Sequence, residues 1–589
     1  MKSGRIFFFL LINLISTPSL AQDETKAPKS NYCLPDQSCW PKEMHWNTLK
    51  KQVNGHLFKG STPLTPCIDN VKSKLCKKVL KQVKNPFYLE SQSGSTQSNG
   101  WVDAWNAQTS TYVVEAENAQ EIASAVQFAR KHHIKLVVKG TGHDYLGRSN
   151  APDSLLIWTH KMRQVEMNDH FIPQGCPANT KAVPAVTAEA GTRWLEAYKE
   201  VVVKNGRYVQ GGGCTSVGVA GGFIQGGGFG SFSKKFGTGA AGILEAELIT
   251  ADGTIITANE CQNADLYWAL KGGGGSTFGI VSKITLETHA LPSIFGALTG
   301  TITASTDQDY KQLIEYFIRF YRVKLHNDHW GEQVILNKNN QMQIAMVFQG
   351  MSKIEVERLW QPFKIWLAQR PQQYKFKLHS VALPARKFWD YDYLSTHLPS
   401  YIAIDKRKNA PYGEFWWVGN QSEVSIYLTH YQSGYLSFKL FNEKNEANLS
   451  KTLFDASRLT SLSIHFNKGL SGASEQAIAR QKRTAMNPAV LDAVGLITIA
   501  GGQQYKYADI VGYKPDLPKA RKSALQAKQA MKLIHDLSPD AGTYGNEADY
   551  SLEHWEQELW GSHYAKLLEI NQKYDPDNIF NCHHCVGSY

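Results

Sequence analysis

The stretch that most restricts this chain is Gly211–Gly230, GGGCTSVGVAGGFIQGGGFG, in which ten of twenty residues are glycine. That density excludes a regular helix or an ordinary strand, because glycine loses more backbone freedom on folding than any other residue. What glycine offers instead is close backbone approach and access to positive φ. The segment is expected to lie against something flat or charged, with Gly218, Gly221, Gly222 and Gly228 at the contact and Cys214 and Val217 among them. Read alone, Cys214 is equally a small buried residue, since free cysteine is among the most buried types.

A second glycine cluster follows a β-rich run. Ile134–Val138 empties into a turn holding Gly140, Thr141, Gly142, His143, Asp144, Gly147, Arg148 and Ser149. Successive turn amides form a concave nest for phosphate oxygens, and a histidine projecting from such a nest sits beside whatever carries the phosphates. The plainer alternative is a surface turn with an incidental histidine. Upstream, Thr111–Ala116 is β-branched and apolar, and Asn118 with Glu121 has capping-box spacing. Ile122, Ala125, Val126 and Ala129 then recur at helical spacing. Residues 111–140 thus read as a β-α-β unit, whose ligands bind at strand carboxyl ends, where the His143 turn lies.

Composition excludes little by itself: 42% hydrophobic and 20% charged residues are ordinary for a globular chain. At 589 residues more than one domain is expected. The net charge of +11 is spread along the chain, which argues against a nucleic-acid tract. Lys2 and Arg5, the apolar run Ile6–Ile15 and Ser19-Leu20-Ala21 have the pattern of a secretory leader spanning residues 1–21, so a mature start near Gln22 in an oxidising extracellular or periplasmic space is expected. No later run is long enough to span a membrane, and no stable membrane anchor is expected.

Nine cysteines suit that compartment, and the odd count leaves one over if the rest pair. Cys33/Cys39 and Cys67/Cys76 are close enough to bridge, though connectivity is not legible from sequence. Cys582-His583-His584-Cys585 has C-x-x-C spacing without a second pair, which favours a disulfide or structural tail over zinc, and no metal is expected. Cys214 is the candidate odd thiol.

Further along, Arg193–Lys204 reads as a helix with Trp194, Ala197, Tyr198 and Val201 on one face, stopped by Asn205-Gly206. Residues 243–258 read as a hairpin around Asp252-Gly253. Residues 265–288 give a short helix, a glycine turn and a strand containing Gly279, Ile280 and Val281. Gly237–Gly242 matches G-x-G-x-x-G, but a polar loop precedes it and a strand follows, so a Rossmann site is rejected. P-loop, H-E-x-x-H and G-x-S-x-G motifs are lacking, and with them three chemistries. Residues 296–510 alternate strands and helices in the manner of an antiparallel sheet with helices on one side. Trp389, Tyr391, Tyr393, Trp416 and Trp417 either line a sugar or phenol groove or pack a core. Residues 516–572 return to helix around GTYGNEADY.

Taken together, the His143 turn, the Cys214 segment, the Phe278–Val281 run, the CLPDQSCW start, Tyr544-x-Asn546 and the ending Tyr574–Phe580 resemble the FAD-linked oxidases of the vanillyl-alcohol oxidase type, in their berberine-bridge-enzyme-like branch. The resemblance covers roughly residues 33–292 and 540–589. It implies an α+β chain, with a two-lobed FAD-binding domain and a substrate domain built on an antiparallel sheet. The implied division is 22–105 as a disulfide-tied N-terminal region, 106–292 for FAD, 293–515 for substrate, and 516–589 as a C-terminal return to the FAD domain.

The resemblance also implies FAD bonded covalently to His143 and to Cys214, with its pyrophosphate on the Gly140–Ser149 turn and its adenine end near Gly279–Val281. It makes Tyr544 the base, needing stabilisation as phenolate against an ordinary pKa of about 10; Lys and Arg residues of the middle region are the expected partners. Gln503 or Gln504, in the IAGGQQ segment, is expected to orient substrate. Val217, three after the cysteine, resembles the oxidase pattern rather than the dehydrogenase one. The expected activity is oxidation of a carbohydrate hydroxyl by dioxygen, giving hydrogen peroxide. An aromatic alcohol oxidase or dehydrogenase, and a secreted binding protein without turnover, are the alternatives.

Overall fold

The computed structural model describes residues 32–588, so the expected leader lies outside the described residues. The fold is α+β, with three sheets that carry the bulk of the chain.

The first lobe is a four-stranded sheet in the spatial order Leu57–Lys59, Tyr112–Glu115, Ser154–Trp158, Lys135–Lys139. Tyr112–Glu115 and Lys135–Lys139 both run parallel to Ser154–Trp158, which lies between them. The expected β-α-β unit therefore forms with a third strand inserted. Its helix, Ala119–Lys131, is capped by Asn118, whose side chain accepts from the Glu121 amide at 3.0 Å. The Glu121 carboxylate reaches the Glu117 amide instead of closing the box on Asn118. Such a cap contributes about 1 kcal/mol. Burying Ile122 and Val126 contributes about 1.5–3 kcal/mol each, so packing more than capping holds this helix.

The second lobe is a six-stranded antiparallel sheet. Ile255–Asn259, Ile243–Ile249, Ile280–Ala290, Val183–Glu189 and Val165–Phe171 follow in order, and Arg207–Val209 pairs with the far end of Ile280–Ala290. The helix from Trp194 widens to π-helical geometry over Lys199–Lys204 and stops at Gly206, φ +64°. The hairpin at 243–259 forms, but its turn runs over Thr250–Thr254 rather than two residues. The Asp252 carboxylate accepts from the Thr250 hydroxyl at 2.6 Å and the Thr254 amide at 2.9 Å, which fixes the longer loop. Cys176 and Cys261 are disulfide-bonded across this lobe.

The largest sheet has nine strands, in the order Tyr374–Pro384, Ile294–Ala304, Gln341–Gln349, Trp330–Asn337, Leu462–His465, Ala493–Gln504, Ile426–Ser437, Ser98–Trp101, Trp105–Asn106. Helices Asp307–Phe320, Lys353–Ala368, Glu446–Leu459 and Leu517–His535 share one core with it. The last of these helices packs here, so the chain returns to the first two lobes only after it. The last two strands come from the N-terminal region, and Ser98–Trp101 runs parallel to Ile426–Ser437.

Two buried lysines join these parts. Lys139, the residue before Gly140, donates from Nζ to the carbonyls of Gln92 and Ser95, 3.1 Å each, and to that of Ser93. Lys234 donates to the carbonyls of Gly469, Ser471 and Val494 at 2.6–3.0 Å. Three donors meeting three acceptors is full satisfaction for an ammonium group.

Candidate active site

Two direct bonds bring the glycine-rich stretches together. Thr141 Oγ1 accepts from the Gly218 amide at 3.0 Å, and His143 Nε2 lies 3.0 Å from Ser216 Oγ. The Cys214–Gly218 segment is itself anchored behind by the helix start. Trp194 N donates to Val217 O at 2.9 Å, and Leu195 N donates to Thr215 O at 3.1 Å. His143 Nδ1 has no hydrogen-bond partner among the described residues. Burial pushes its imidazole down to about 4, so the ring is neutral at pH 7.

Cysteine pairing leaves one thiol over. Cys33–Cys39, Cys67–Cys76, Cys176–Cys261 and Cys582–Cys585 are bridged, and Cys214 is free. Burial raises the Cys214 thiol well above its usual range, with Glu423 and Glu332 adding to the effect and Lys468 opposing it.

The glycines divide by task. A Cβ added at Gly213, Gly221 or Gly222 meets nothing within 4 Å, so these three face open space, the first of them next to Cys214 in the chain. Gly147 is different: at φ +76° its added Cβ would lie 2.5 Å from the Trp105 ring, so it makes room for protein. A Cβ at Gly140 would lie 3.2 Å from Ala190 O, and at Gly142, φ +81°, 3.4 Å from Lys139 Cδ. Gly279 abuts Ile249 O, and Ile280 and Val281 spend their side chains in the cores of the first and second lobes, which leaves them only backbone to offer a ligand. Arg148 is ion-paired with Asp144 at 2.7 Å, and Ser149 is buried.

Arg148 also lines a narrow cleft between the turn, Gly272–Gly275 and the C-terminal segment at Thr543–Asn546 and His584. Open glycines, a free thiol, a neutral imidazole and a cleft edged by a guanidinium suit a flat cofactor carrying phosphates.

Tyr544, expected as the base, is 3% exposed and packs among Phe229, Tyr435, Met486 and Leu496. Its oxygen accepts from the Gly228 amide at 3.2 Å and from Asn546 Nδ2 at 2.8 Å. No lysine or arginine is among its hydrogen-bond partners. Burial raises its phenol well above the ordinary value, with Glu547 adding to that, so the group keeps its proton at neutral pH, the reverse of what a base requires. Replacing Tyr544 by Phe strips the Gly228 amide of an acceptor and is expected to cost about 1–3 kcal/mol in a denaturant titration.

Gln503 is likewise committed elsewhere. Its amide donates to Asp516 O at 2.9 Å and accepts from Asp516 N at 2.8 Å, bracing the start of helix Leu517–His535. The middle-region aromatics are packing residues: Trp389 stacks on Tyr198 at 4.1 Å, and Trp416 lies in a core with Phe87 and Phe415.

Charged groups that no motif announced gather instead around Cys214. Glu332 accepts from the Ser231 hydroxyl, Glu423 from Tyr145 at 3.3 Å, and Glu547 through both its oxygens from Lys468 Nζ at 2.6 and 2.7 Å. Burial raises the carboxyls of Glu332 and Glu423. Tyr145 and Glu547 sit within the two resembling motifs, two positions from His143 and one from Asn546. Glu332, Glu423 and Lys468 come from separate strand ends, and no spacing in the sequence links them.

Residues 110–259 match the FAD binding domain model, and residues 543–587 match the berberine and berberine-like model. An uncharacterized FAD-linked oxidoreductase of Arthroderma benhamiae is 29% identical over 595 residues, covering 94% of each chain. The VAO-type flavoprotein oxidase VAO615 of Thermothelomyces thermophilus is 27% identical over 575 residues, covering 94% of this chain and 92% of its own. This chain is an FAD-linked oxidoreductase, similar to flavoprotein oxidases of the vanillyl-alcohol oxidase type. The flavoenzyme's fold has solved counterparts. One is glucooligosaccharide oxidase from Acremonium strictum, with a TM-score of 0.63 at 19% identity, covering 90% of this chain and all of that one. No helix among the described residues is long and apolar enough to cross a membrane.

Proposed function

We propose that this flavoenzyme holds FAD through two covalent bonds, from His143 and Cys214, and oxidises a hydroxyl group of a carbohydrate with dioxygen, releasing hydrogen peroxide. The observation that carries the reading is the His143–Ser216 bond, which sets the unpaired thiol's segment against the turn that bears the neutral imidazole. FAD supplies the electron sink, and the protein orients and tunes it. Arg148, the Gly140–Ser149 turn and the open glycines at Gly213, Gly221 and Gly222 would hold it. Attachment at two points anchors the ring without a closed pocket, which suits a broad substrate.

Support for a carbohydrate comes from the polar wall of the large sheet. Leu462 and Ile464 point into the core, which puts Ser463 and His465 on the opposite face, where Ser463 donates to Gln333 at 2.6 Å. The Acremonium protein, described as carrying a 6-S-cysteinyl, 8α-N1-histidyl FAD, and a chitooligosaccharide oxidase share this fold. Val217 beside the cysteine suits access for dioxygen, and the disulfides suit secretion.

An anaerobic titration of the purified protein tests this. Sugars and oligosaccharides are expected to bleach the visible flavin band. Bleaching by aromatic alcohols alone would move the substrate to that class. Dye turnover without oxygen consumption would make the enzyme a dehydrogenase. A flavin band that no hydroxyl compound bleaches would favour a binding protein.

A further inference from the structure

Gly140, Gly142 and Gly147 leave the turn that bears His143 with wide backbone freedom, so it needs an outside support to hold one shape. We propose that Lys139 is the positioning residue for the flavin bond at His143: from the end of strand Lys135–Lys139 it pins the turn to the segment Gln92–Gln97. This rests on the reading of His143 as a flavin attachment point.

The pin closes the base of the turn from both sides. Lys139 precedes Gly140, and Asn150 follows Ser149. Both donate to one carbonyl, that of Ser93: Lys139 through Nζ, and Asn150 through Nδ2 at 3.1 Å. Lys139 Nζ also donates to Gln92 O and Ser95 O, 3.1 Å each. A further bond reaches into the turn itself. Gln97 N donates to Gly142 O at 3.0 Å, one residue before His143. A Cβ at Gly142 would lie 3.4 Å from Lys139 Cδ and 3.5 Å from Ser95 O, so the lysine stem and the segment both lie against this glycine. Lys139 is 1% exposed, and its ammonium lies 5.1 Å from the centre of the Trp158 ring.

The segment passes on support from the large sheet. It forms neither helix nor strand, it is buried at Ser93, Ser95, Thr96 and Gln97, and it runs directly into strand Ser98–Trp101. The Cys214 segment is anchored separately, by the helix start at Trp194. The two attachment points therefore have different supports, and removing one support should affect one bond.

The bond at His143 is sensitive to placement. The imidazole N–H and one C–H of the flavin ring's methyl group break, and a nitrogen–carbon bond forms. The two hydrogens, with their two electrons, leave on dioxygen as hydrogen peroxide. A displacement of about 1 Å at a reacting centre costs about a hundredfold in rate.

Digestion of the purified holoenzyme, with flavin located on each peptide by mass, tests this. In the wild type one flavin should join the His143 and Cys214 peptides. In Lys139→Met the histidyl bond is expected to form about a hundredfold more slowly, so the flavin is recovered mainly on the Cys214 peptide alone. Amide exchange at Gln97 should quicken about tenfold as its bond to Gly142 loosens. Lys139→Arg keeps the charge and donors and should restore part of the histidyl bond. Lys234→Met removes an equally buried lysine with three carbonyl partners and no bond to the turn; it should lower the denaturant midpoint and leave both flavin bonds in place. Asn150→Ala removes the other donor to Ser93 O and should give a milder loss of the same bond, which serves if Lys139→Met folds poorly. Flavin joined to both peptides in Lys139→Met as in the wild type overturns the proposal. So does equal loss from both peptides, or the same selective loss in Lys234→Met, since either reduces Lys139 to general stability. A wild-type flavin absent from the His143 peptide overturns the attachment reading itself, and the pin with it.

Discussion

Alanine at both His143 and Cys214 is expected to free the flavin. After acid precipitation the wild-type pellet is expected to be yellow, each single variant's pellet likewise, and the double variant's colourless with FAD in the supernatant. The singles separate the two bonds. His143→Ala keeps only the link through the thiol, and Cys214→Ala keeps only the link through the imidazole. The functional cost of the double variant follows from mass action. With a noncovalent Kd of about 1 µM, an assay at about 10 nM protein leaves roughly one site in a hundred filled. Turnover should therefore fall about a hundredfold and recover as FAD is added. Retention of yellow by the double variant would show that neither residue is an attachment point.

The second large effect lies behind the site. Arg193 is 4% exposed, and its guanidinium lies over the Phe87 ring at 4.7 Å. It contacts Glu196 at 2.7 Å, Glu414 at 2.5 Å and Glu90 at 3.6 Å. Methionine there leaves Glu90 and Glu414 buried without their main counter-charge, a change that costs about 3–5 kcal/mol. Both carboxyls are already raised by burial, with Arg193 holding them down.

Without Arg193 they rise further, so the folded state binds more protons than the unfolded one above the ordinary glutamate pKa. Stability then falls as pH rises through the folded values. The variant's deficit in a denaturant titration should be larger at pH 8 than at pH 5. Arg193 also pairs through its backbone with Gly218, at the end of the Cys214 segment. The fraction of protein with flavin on Cys214 should drop as well. Lysine at 193 keeps the charge without the planar fork and should recover only part of the loss. An unchanged midpoint at both pH values would remove the network from any account of stability.

Much of this architecture could be read from local pattern. The stripe Ile122–Ala129 carries its period within a dozen residues, so its helix forms where expected. Glycine density marked both segments for close approach, but that the His143 turn and the Cys214 segment meet followed only from the resemblance. What failed were readings of what a residue touches. Gly147 turns out to accommodate Trp105, Gln503 braces a helix start, and Tyr544 faces two amides where cations were expected. Glu423, Glu332 and Lys468 stand far apart in sequence and meet only because the large sheet faces the FAD-binding lobes. Long-range convergence of single residues leaves no periodic trace.

The strand Ser98–Trp101 bears on how the chain is made. Beyond the adjacent Trp105–Asn106, its partners leave the ribosome late: Ile426–Ser437 pairs with it, and Asn99 Nδ2 donates to Lys506 O, 407 residues downstream. At about 5–20 residues per second the amide waits roughly 20–80 s for its acceptor. Through that interval an unpaired strand is open to pairing with other chains. The flanking bridges Cys33–Cys39 and Cys67–Cys76 close loops of only 6 and 9 residues, so they can form at the start of that wait. A nascent chain arrested before residue 426 should therefore be the species most in need of a chaperone, with its first hundred residues already cross-linked and their docking surface still missing.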